Sequence, residues 1–322
     1  MKIIVTGGAG FLGTQLIYKL LHRADHGVAP LTFDSITAVD LVESPIEDPR
    51  VTSMVGDLSD PAFTAAIVDE ETVAIYHLAA VLSGGSAENF DLAMSVNIDG
   101  TRNLLEAARG LRRAPRFIFT SSLAVFGGKM PELVAPDFAT QPDSTYGATK
   151  AIGEILVNEY SRKGFIDGRI CRLPTISVRP GAPNSAASSF ASGIIREPLN
   201  GVESVCPVPH ATPMWLSSPR TVVTNLVHAL ELSSEHLDNW RGLNLPGITV
   251  TVGEMLAALE RVAGPDTRSL VRDELSQPIM EIVCSWPGAF NVESTLALGF
   301  TQDQNFDEVI RQYQEDYLTP TA

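Results

Sequence analysis

The chain has 322 residues, which predicts one large domain or two and allows a sizeable buried core. Apolar residues make up 44% and charged residues 19%, which excludes disorder over most of the length. The 23 Lys and Arg against 38 Asp and Glu leave a net charge of −15, which argues against a nucleic-acid groove or a polybasic membrane surface, although a few local arginines suffice for an anionic ligand.

In chain order, short β-branched apolar runs at 2–6, 35–40, 51–55, 73–78, 116–121 and 168–174 read as strands. Helical patterns at 12–21, 61–68, 88–109 and 146–162 lie between them. This alternation predicts βαβ units, a parallel sheet and helices on both of its faces, hence a doubly wound α/β fold. The texture changes after Pro174: eight prolines fall in 174–219, which reads as loop-rich. Helices are expected again at 219–232, with Ser218 as N-cap and Pro219 at the first helical position, at 252–262 after Thr251, and near 306–317. The expected organisation is a dinucleotide-binding domain over 1–175 and a smaller substrate-binding region over 176–322, some of whose segments return to the first sheet.

No run reaches the ~18 apolar residues of a membrane span. Met1 leads almost at once into a strand and then glycines, without the basic and apolar regions of a signal peptide, so the cytoplasm is the expected compartment. Cys171, Cys206 and Cys284 are odd in number and widely spaced, consistent with reducing surroundings. The six histidines form no HxH or HExxH pair, and no metal is expected.

The first strand runs into Gly7-Gly8-Ala9-Gly10-Phe11-Leu12-Gly13, a GxxGxxG motif with a strand before it and a helix after it. Gly7 and Gly10 permit a tight turn and close approach to a pyrophosphate, and Gly13 lets the helix pack on the strand. Phe11 and Leu12 open that helix, whose free N–H groups and partial positive charge suit phosphates. A Walker A loop is excluded, because Thr14 and Gln15 follow Gly13 where a lysine is needed. The second strand ends in Asp40, a carboxylate that pairs with a ribose diol and repels a 2′-phosphate, which favours NAD over NADP. Asp34 is nearer the usual spacing but precedes the apolar run, so Asp40 is preferred.

Tyr146 and Lys150 form a YxxxK pair that opens a helix, and a spacing of four puts them on one face. An ammonium one turn away stabilises a phenolate and makes Tyr146 a usable base; it can also donate to a nicotinamide ribose. The fifth strand ends at Thr120-Ser121-Ser122, and a hydroxyl at the carboxyl end of a parallel strand faces the ligand crevice.

TGGAGFLG at 6–13, Asp57-Leu58, His77-Leu78-Ala79-Ala80, Asn97 with Gly100-Thr101, TSSLAVFG at 120–127 and YGATK at 146–150 together resemble the extended short-chain dehydrogenase/reductases, over nearly the whole chain. Residues 160–165, the run Arg172 to Asn184 and 195–199 more narrowly resemble the D-erythronate dehydrogenases. The wider resemblance implies Tyr146 as base, Lys150 as its partner and Ser122 as the hydroxyl holding the reacting oxygen. It also implies Asp57 and Leu58 at the adenine, Ala79, Asn97 and Pro174 along the cofactor, and a homodimer paired through helices 88–109 and 146–162, which carry Leu92, Val96, Ile152, Ile155 and Leu156. The narrower one implies oxidation of D-erythronate to 2-dehydro-D-erythronate. Sugar-nucleotide dehydratases of this superfamily carry an acidic pair after the strand-end hydroxyl; here the positions are Leu123 and Ala124, which cannot protonate a leaving hydroxyl.

Several residues have plainer readings. His77 at a strand end is a core histidine, Cys171 a buried inert thiol, and the acidic tail 303–316 a solvated helix face. Phe126, and Trp215, Trp240 and Trp286, read as packing or rim aromatics. Arg220 lies where its charge opposes a helix dipole, which suggests a functional reason or an ion pair. For an acidic substrate the expected contacts are Ser83, Ser122, Tyr146, Thr175, Arg179, Asn184 and Arg220, one arginine fixing the carboxylate. The leading expectation is therefore an NAD-dependent dehydrogenase of a small hydroxy acid. The alternatives are a sugar-nucleotide 4-epimerase that retains NAD, and a non-catalytic NAD sensor.

Overall fold

The structure, a computed structural model, describes residues 1–28, 31–181 and 187–318. Its elements in chain order are β1 (Lys2–Thr6), α1 (Phe11–Asp25), β2 (Ser35–Asp40), β3 (Val51–Val55), α2 (Pro61–Ile67), β4 (Thr72–His77), α3 (Ser83–Glu88), α4 (Phe90–Ala93), α5 (Thr101–Arg109), β5 (Arg116–Ser122), α6 (Thr145–Arg162) and β6 (Asp167–Leu173). They continue as β7 (Thr175–Ile176), α7 (Ser189–Leu199), β8 (Ser204–Cys206), β9 (Pro213–Ser217), α8 (Pro219–Glu231), β10 (Gly242–Asn244) and β11 (Ile248–Thr251). The last are α9 (Val252–Ala263), α10 (Pro265–Ser269), β12 (Val271–Asp273), α11 (Gln277–Val283), α12 (Glu293–Ala297) and α13 (Phe306–Tyr317).

The chain forms two compact units. The first comprises 1–125, 140–172 and 223–243, the second 126–139, 173–222 and 244–322. The first holds a seven-stranded sheet in the order β10-β6-β5-β4-β1-β2-β3, with β3–β2, β2–β1, β1–β4 and β4–β5 all parallel. Ile3, Ile4 and Val5 of β1 are wholly buried, which is why this strand reads as an unbroken β-branched run. The core packed on the sheet includes Ile4, Ile75, Leu104, Phe117, Phe119 and Val157. This is the doubly wound α/β fold expected from the alternation of strand and helix patterns.

Local signals set the helix starts. Asp60 caps α2 through the Ala62 amide ahead of Pro61, and Ser144 caps α6 through the Gly147 amide. The single helix expected over 88–109 is instead broken: α4 passes into a π-helical turn, Met94–Gly100, before α5. Five-residue hydrogen bonding of that kind leaves no mark in a 3.6-residue apolar pattern.

The second unit has its own core of Val178, Ile194, Leu216, Leu256, Val309, Ile310 and neighbours. Residues 174–219 are richer in regular structure than a loop: they hold β7, α7, β8 and β9. The prolines mark the edges of these short elements. Pro213 is the first residue of β9, Pro219 the first of α8, and Pro198 lies in the final turn of α7, where a missing N–H costs one bond. The acidic tail also differs from a uniformly solvated face. Asp303 is buried and accepts from the Ser217 hydroxyl (3.2 Å), the Ser218 amide and hydroxyl (both 2.7 Å) and the Thr221 hydroxyl (2.7 Å). The Ser218 hydroxyl in turn accepts from the Thr221 amide at 3.1 Å, as an N-cap of α8 does. Among the described residues no helix is long and apolar enough to cross a membrane.

Candidate active site

The turn between β1 and α1 is built around glycine at the two positions that require it. Gly7 has φ +71°, and a Cβ on Gly13 would collide with the Gly7 carbonyl. Helix α1 starts at Gly10 without a side-chain cap and without an acidic residue in its first turn. Its leading N–H groups and positive dipole end are therefore left for an anion, which fits the pyrophosphate of a dinucleotide.

Asp40 closes β2, and its carboxylate accepts from the Ala9 amide of the glycine turn at 3.1 Å and from the Leu41 amide at 2.7 Å. Asp34 pairs instead with the Met1 amino terminus. Asp57 accepts from the Ser59 amide, and Leu58 is buried beneath Gly100. Ala79, after β4, donates its amide to the Thr6 hydroxyl at 3.2 Å and approaches Gly7 so closely that a Cβ there would meet it at 3.0 Å. The buried Asn97 lies in the π turn. Its Oδ1 accepts from the Val81 amide at 2.8 Å, and its Nδ2 donates to the Val81 carbonyl and to Thr149 Oγ1, both at 3.0 Å.

Tyr146 is half-buried in the first turn of α6, and Lys150 one turn on is fully buried. The Lys150 ammonium donates to the Thr120 carbonyl at 2.8 Å and lies 4.8 Å from the Phe119 ring centre and 5.8 Å from that of Tyr146. Burial pulls its pKa down to about 8, against the opposing attraction of Glu154. Gly147 has no room for a Cβ against the Ala124 carbonyl, so the first turn of α6 lies directly on the turn that follows Ser122. Ser122 Oγ accepts from the Ala124 amide at 3.1 Å.

His77 is a core histidine, as its strand-end position suggests. It is bonded to the Thr6 and Thr101 hydroxyls, both at 2.8 Å, and burial holds its pKa down to about 3. Sequence reasoning passes over Glu154. Its carboxylate takes Arg172 bidentately, at 2.8 and 2.7 Å, and the Ser121 hydroxyl at 2.5 Å. The signal available was a lone carboxylate in the apolar stretch 151–157, matched by Arg169 and Arg172 inside β6.

Ser83 is the first residue of α3 and is half-buried, and Pro174 is buried. In the second unit, Thr175 pairs with Leu216 in β7, and the Arg179 amide donates to Ser192 Oγ at 3.0 Å. Arg220 forms ion pairs with Glu315 at 2.9 Å and Asp316 at 2.5 Å, the plainer of its two readings. Asn184 lies outside the described residues. Trp215 is buried beside Phe290, with its indole N–H unpaired. Cys171 is buried, and burial raises its thiol to about 12. Cys206, His210 and Asp273 bring three ligand-type atoms within 4.8 Å of one another. Each already has a protein partner: Cys206 the Val208 carbonyl at 3.4 Å, and His210 and Asp273 each other at 2.8 Å.

Residues 4–173 match the family described as GDP-mannose 4,6 dehydratase. A D-erythronate dehydrogenase of Cupriavidus necator is 52% identical over 98% of each chain. One of Haemophilus influenzae is 46% identical over 98% of this chain and 99% of its own. Among solved structures, a nucleoside-diphosphate-sugar epimerase from Agrobacterium tumefaciens matches with a TM-score of 0.93 and 39% identity, over 99% of this chain and 94% of its own.

Proposed function

This chain belongs to the GDP-mannose 4,6 dehydratase family of extended short-chain dehydrogenase/reductases, and we propose that it oxidises D-erythronate to 2-dehydro-D-erythronate with NAD. The observation that carries the reading is the buried Lys150 ammonium, anchored on Thr120 beneath Tyr146 at the end of the strand that bears Ser122. Family membership alone does not choose the reaction. Leu123 and Ala124 carry no proton for a leaving hydroxyl, so loss of water is not supported. The D-erythronate dehydrogenases, alike over almost their full length, support an acid substrate.

In this reading Gly7, Gly10, Phe11, Leu12 and Gly13 hold the pyrophosphate and Asp40 the adenosine ribose. Asp57 and Leu58 flank the adenine, and Ala79, Asn97, Pro174, Tyr146 and Lys150 lie along the rest of the cofactor. When bound, NAD accepts a hydride from the carbinol carbon. Tyr146 Oη takes the proton of the same carbinol, so the alcohol leaves as a ketone with atoms and charge balanced. Lys150 stabilises the phenolate that this requires, and Ser122 Oγ holds the reacting oxygen. Ser83, Thr175, Asn184 and Arg179 are proposed to read the hydroxyls and carboxylate of the substrate, whereas Arg220 is engaged by Glu315 and Asp316.

The proposal includes a cytoplasmic setting, supported by three cysteines that form no disulfide. It also includes a two-fold dimer through α4, the π turn, α5 and α6, supported by the exposed Phe90, Leu92, Ile152 and Ile155. Leu156 packs on the core and Val96 is half-buried, so the exposed stripe is narrower than the sequence pattern.

The test is the absorbance of reduced nicotinamide when purified protein is mixed with NAD and a panel of aldonic acids. Net reduction with D-erythronate is the expected result. Conversion of a UDP-sugar without net reduction would overturn the reading in favour of an epimerase, and silence towards every hydroxy acid would also overturn it.

A further inference from the structure

We infer that Glu154 is a positioning residue for this reaction, holding the end of β5 against the Lys150 ammonium and supplying that ammonium's buried counter-charge. The inference rests on the reading of Tyr146 and Lys150 as base and partner. Glu154 follows Lys150 by four residues, one turn along α6, and it is 1% exposed. Its Oε1 accepts from the Ser121 hydroxyl at 2.5 Å and from Arg172 Nε at 2.8 Å, while Oε2 accepts from Arg172 Nη2 at 2.7 Å. A fully buried carboxylate with so many partners is held in one orientation.

The residue it grips on β5 lies between two that the chemistry uses. On one side of Ser121, the Thr120 carbonyl receives the Lys150 ammonium; on the other, Ser122 presents its hydroxyl. One carboxylate therefore ties the middle of this tripeptide to the helix that carries Tyr146 and Lys150. A small slip of β5 along α6 would move both the acceptor of Lys150 and the Ser122 hydroxyl, and errors of that size are costly in catalysis.

The charge acts separately. The ionisable groups around the ammonium are Tyr146 and Glu154 on its own helix, His77 at the end of β4, held neutral by burial, and Arg172 on β6, paired to Glu154. Among these, Glu154 supplies the negative charge that opposes desolvation of the ammonium. Without it Lys150 loses its proton at lower pH, and the support of the Tyr146 phenolate goes with it.

The experiment compares pH profiles of kcat/KM for the wild type, Glu154→Gln, Ser121→Ala and the double variant Glu154→Gln with Arg172→Met. The alkaline limb of Glu154→Gln is expected to move to lower pH by about one unit or more. The double variant, which removes the Arg172 guanidinium along with its carboxylate partner, is expected to move in the same direction by less, and it keeps the test readable if the single variant does not fold. Ser121→Ala is expected to lower kcat roughly tenfold with KM and the alkaline limb unmoved. A purely structural role would lower activity equally at every pH; a wild-type limb in the folded double variant overturns the inference. Tyr146→Phe keeps the two failures apart. If it abolishes D-erythronate oxidation while the double variant keeps a wild-type limb, only the role of Glu154 is wrong; if Tyr146→Phe stays active, the underlying reading has failed.

Discussion

Asn97 Nδ2 donates to Thr149 Oγ1 at 3.0 Å, and the Thr149 hydroxyl donates onward to the Tyr146 carbonyl at 2.9 Å. The π turn thus bears on the first turn of α6, while the same amide clamps both backbone groups of Val81. Asn97→Ala strips three hydrogen bonds from a buried position. It should cost about 2–3 kcal/mol of stability in chemical denaturation and reduce kcat/KM roughly tenfold. A variant with wild-type midpoint and turnover would refute this linkage.

Tyr146→Phe removes only a hydroxyl from a half-buried ring. Turnover should fall by roughly 10²–10⁴, the usual contribution of a general base, with the melting temperature and NAD affinity close to wild type. Steady-state kinetics beside calorimetric NAD titration separates the two effects.

Asp40→Ser removes the carboxylate that faces the glycine turn. NAD affinity should fall roughly tenfold, or ~1.5 kcal/mol, and NADP should gain relative to NAD. Dissociation constants for both cofactors check it; a wild type that prefers NADP would contradict the role given to Asp40.

The two candidate arginines should behave differently. Arg220 is already engaged by Glu315 and Asp316 at the surface, so Arg220→Met should cost at most ~1 kcal/mol of stability and little turnover. Arg179→Met should cut kcat/KM for the acid by ~2–4 kcal/mol with NAD binding kept. Equal turnover in both variants would place the carboxylate elsewhere.

His77 makes stability depend on pH. The unfolded chain takes up a proton near the ordinary value of about 6.5, whereas burial holds the folded-state value at about 3. Protonation therefore favours unfolding. Stability is expected to fall as pH drops from about 6.5 towards about 3, by an amount on the order of a few kcal/mol, and His77 adds nothing further below that. Urea midpoints across this range should slope more steeply for the wild type than for His77→Gln, and equal slopes would count against it.

Much of the first unit is legible because the inner strands of its sheet are largely buried and its ligand turn is made of glycine. The run Lys2–Thr6 and the motif at 7–13 announce each other, and Tyr146 and Lys150 stand one turn apart on a capped helix. What escapes the sequence depends on distant partners or on shifted periodicity. Asp303 reads as one more tail acid because the groups it binds, Ser217 to Thr221, lie more than eighty residues earlier. Helix α7 hides behind Gly193 and Pro198, and the π turn behind an ordinary apolar pattern. Glu154 becomes meaningful only once β5 and β6 bring Ser121 and Arg172 to it.

The first unit closes with residues 223–243, long after the chain has left it at Arg172. Arg169, wholly buried, donates to the Leu232 carbonyl at 2.5 Å, Arg116 to the Leu230 carbonyl, and the Ile170 amide to the Arg241 carbonyl at 3.0 Å. A nascent chain released at residue 175, or a gene truncated there, would carry every glycine of the nucleotide turn and both Tyr146 and Lys150. It would also expose the β6 edge and leave the Arg169 guanidinium without its carbonyl. Such a fragment should aggregate rather than bind dinucleotide. Inserted reporters and split points therefore belong in exposed turns, not at the apparent domain junction.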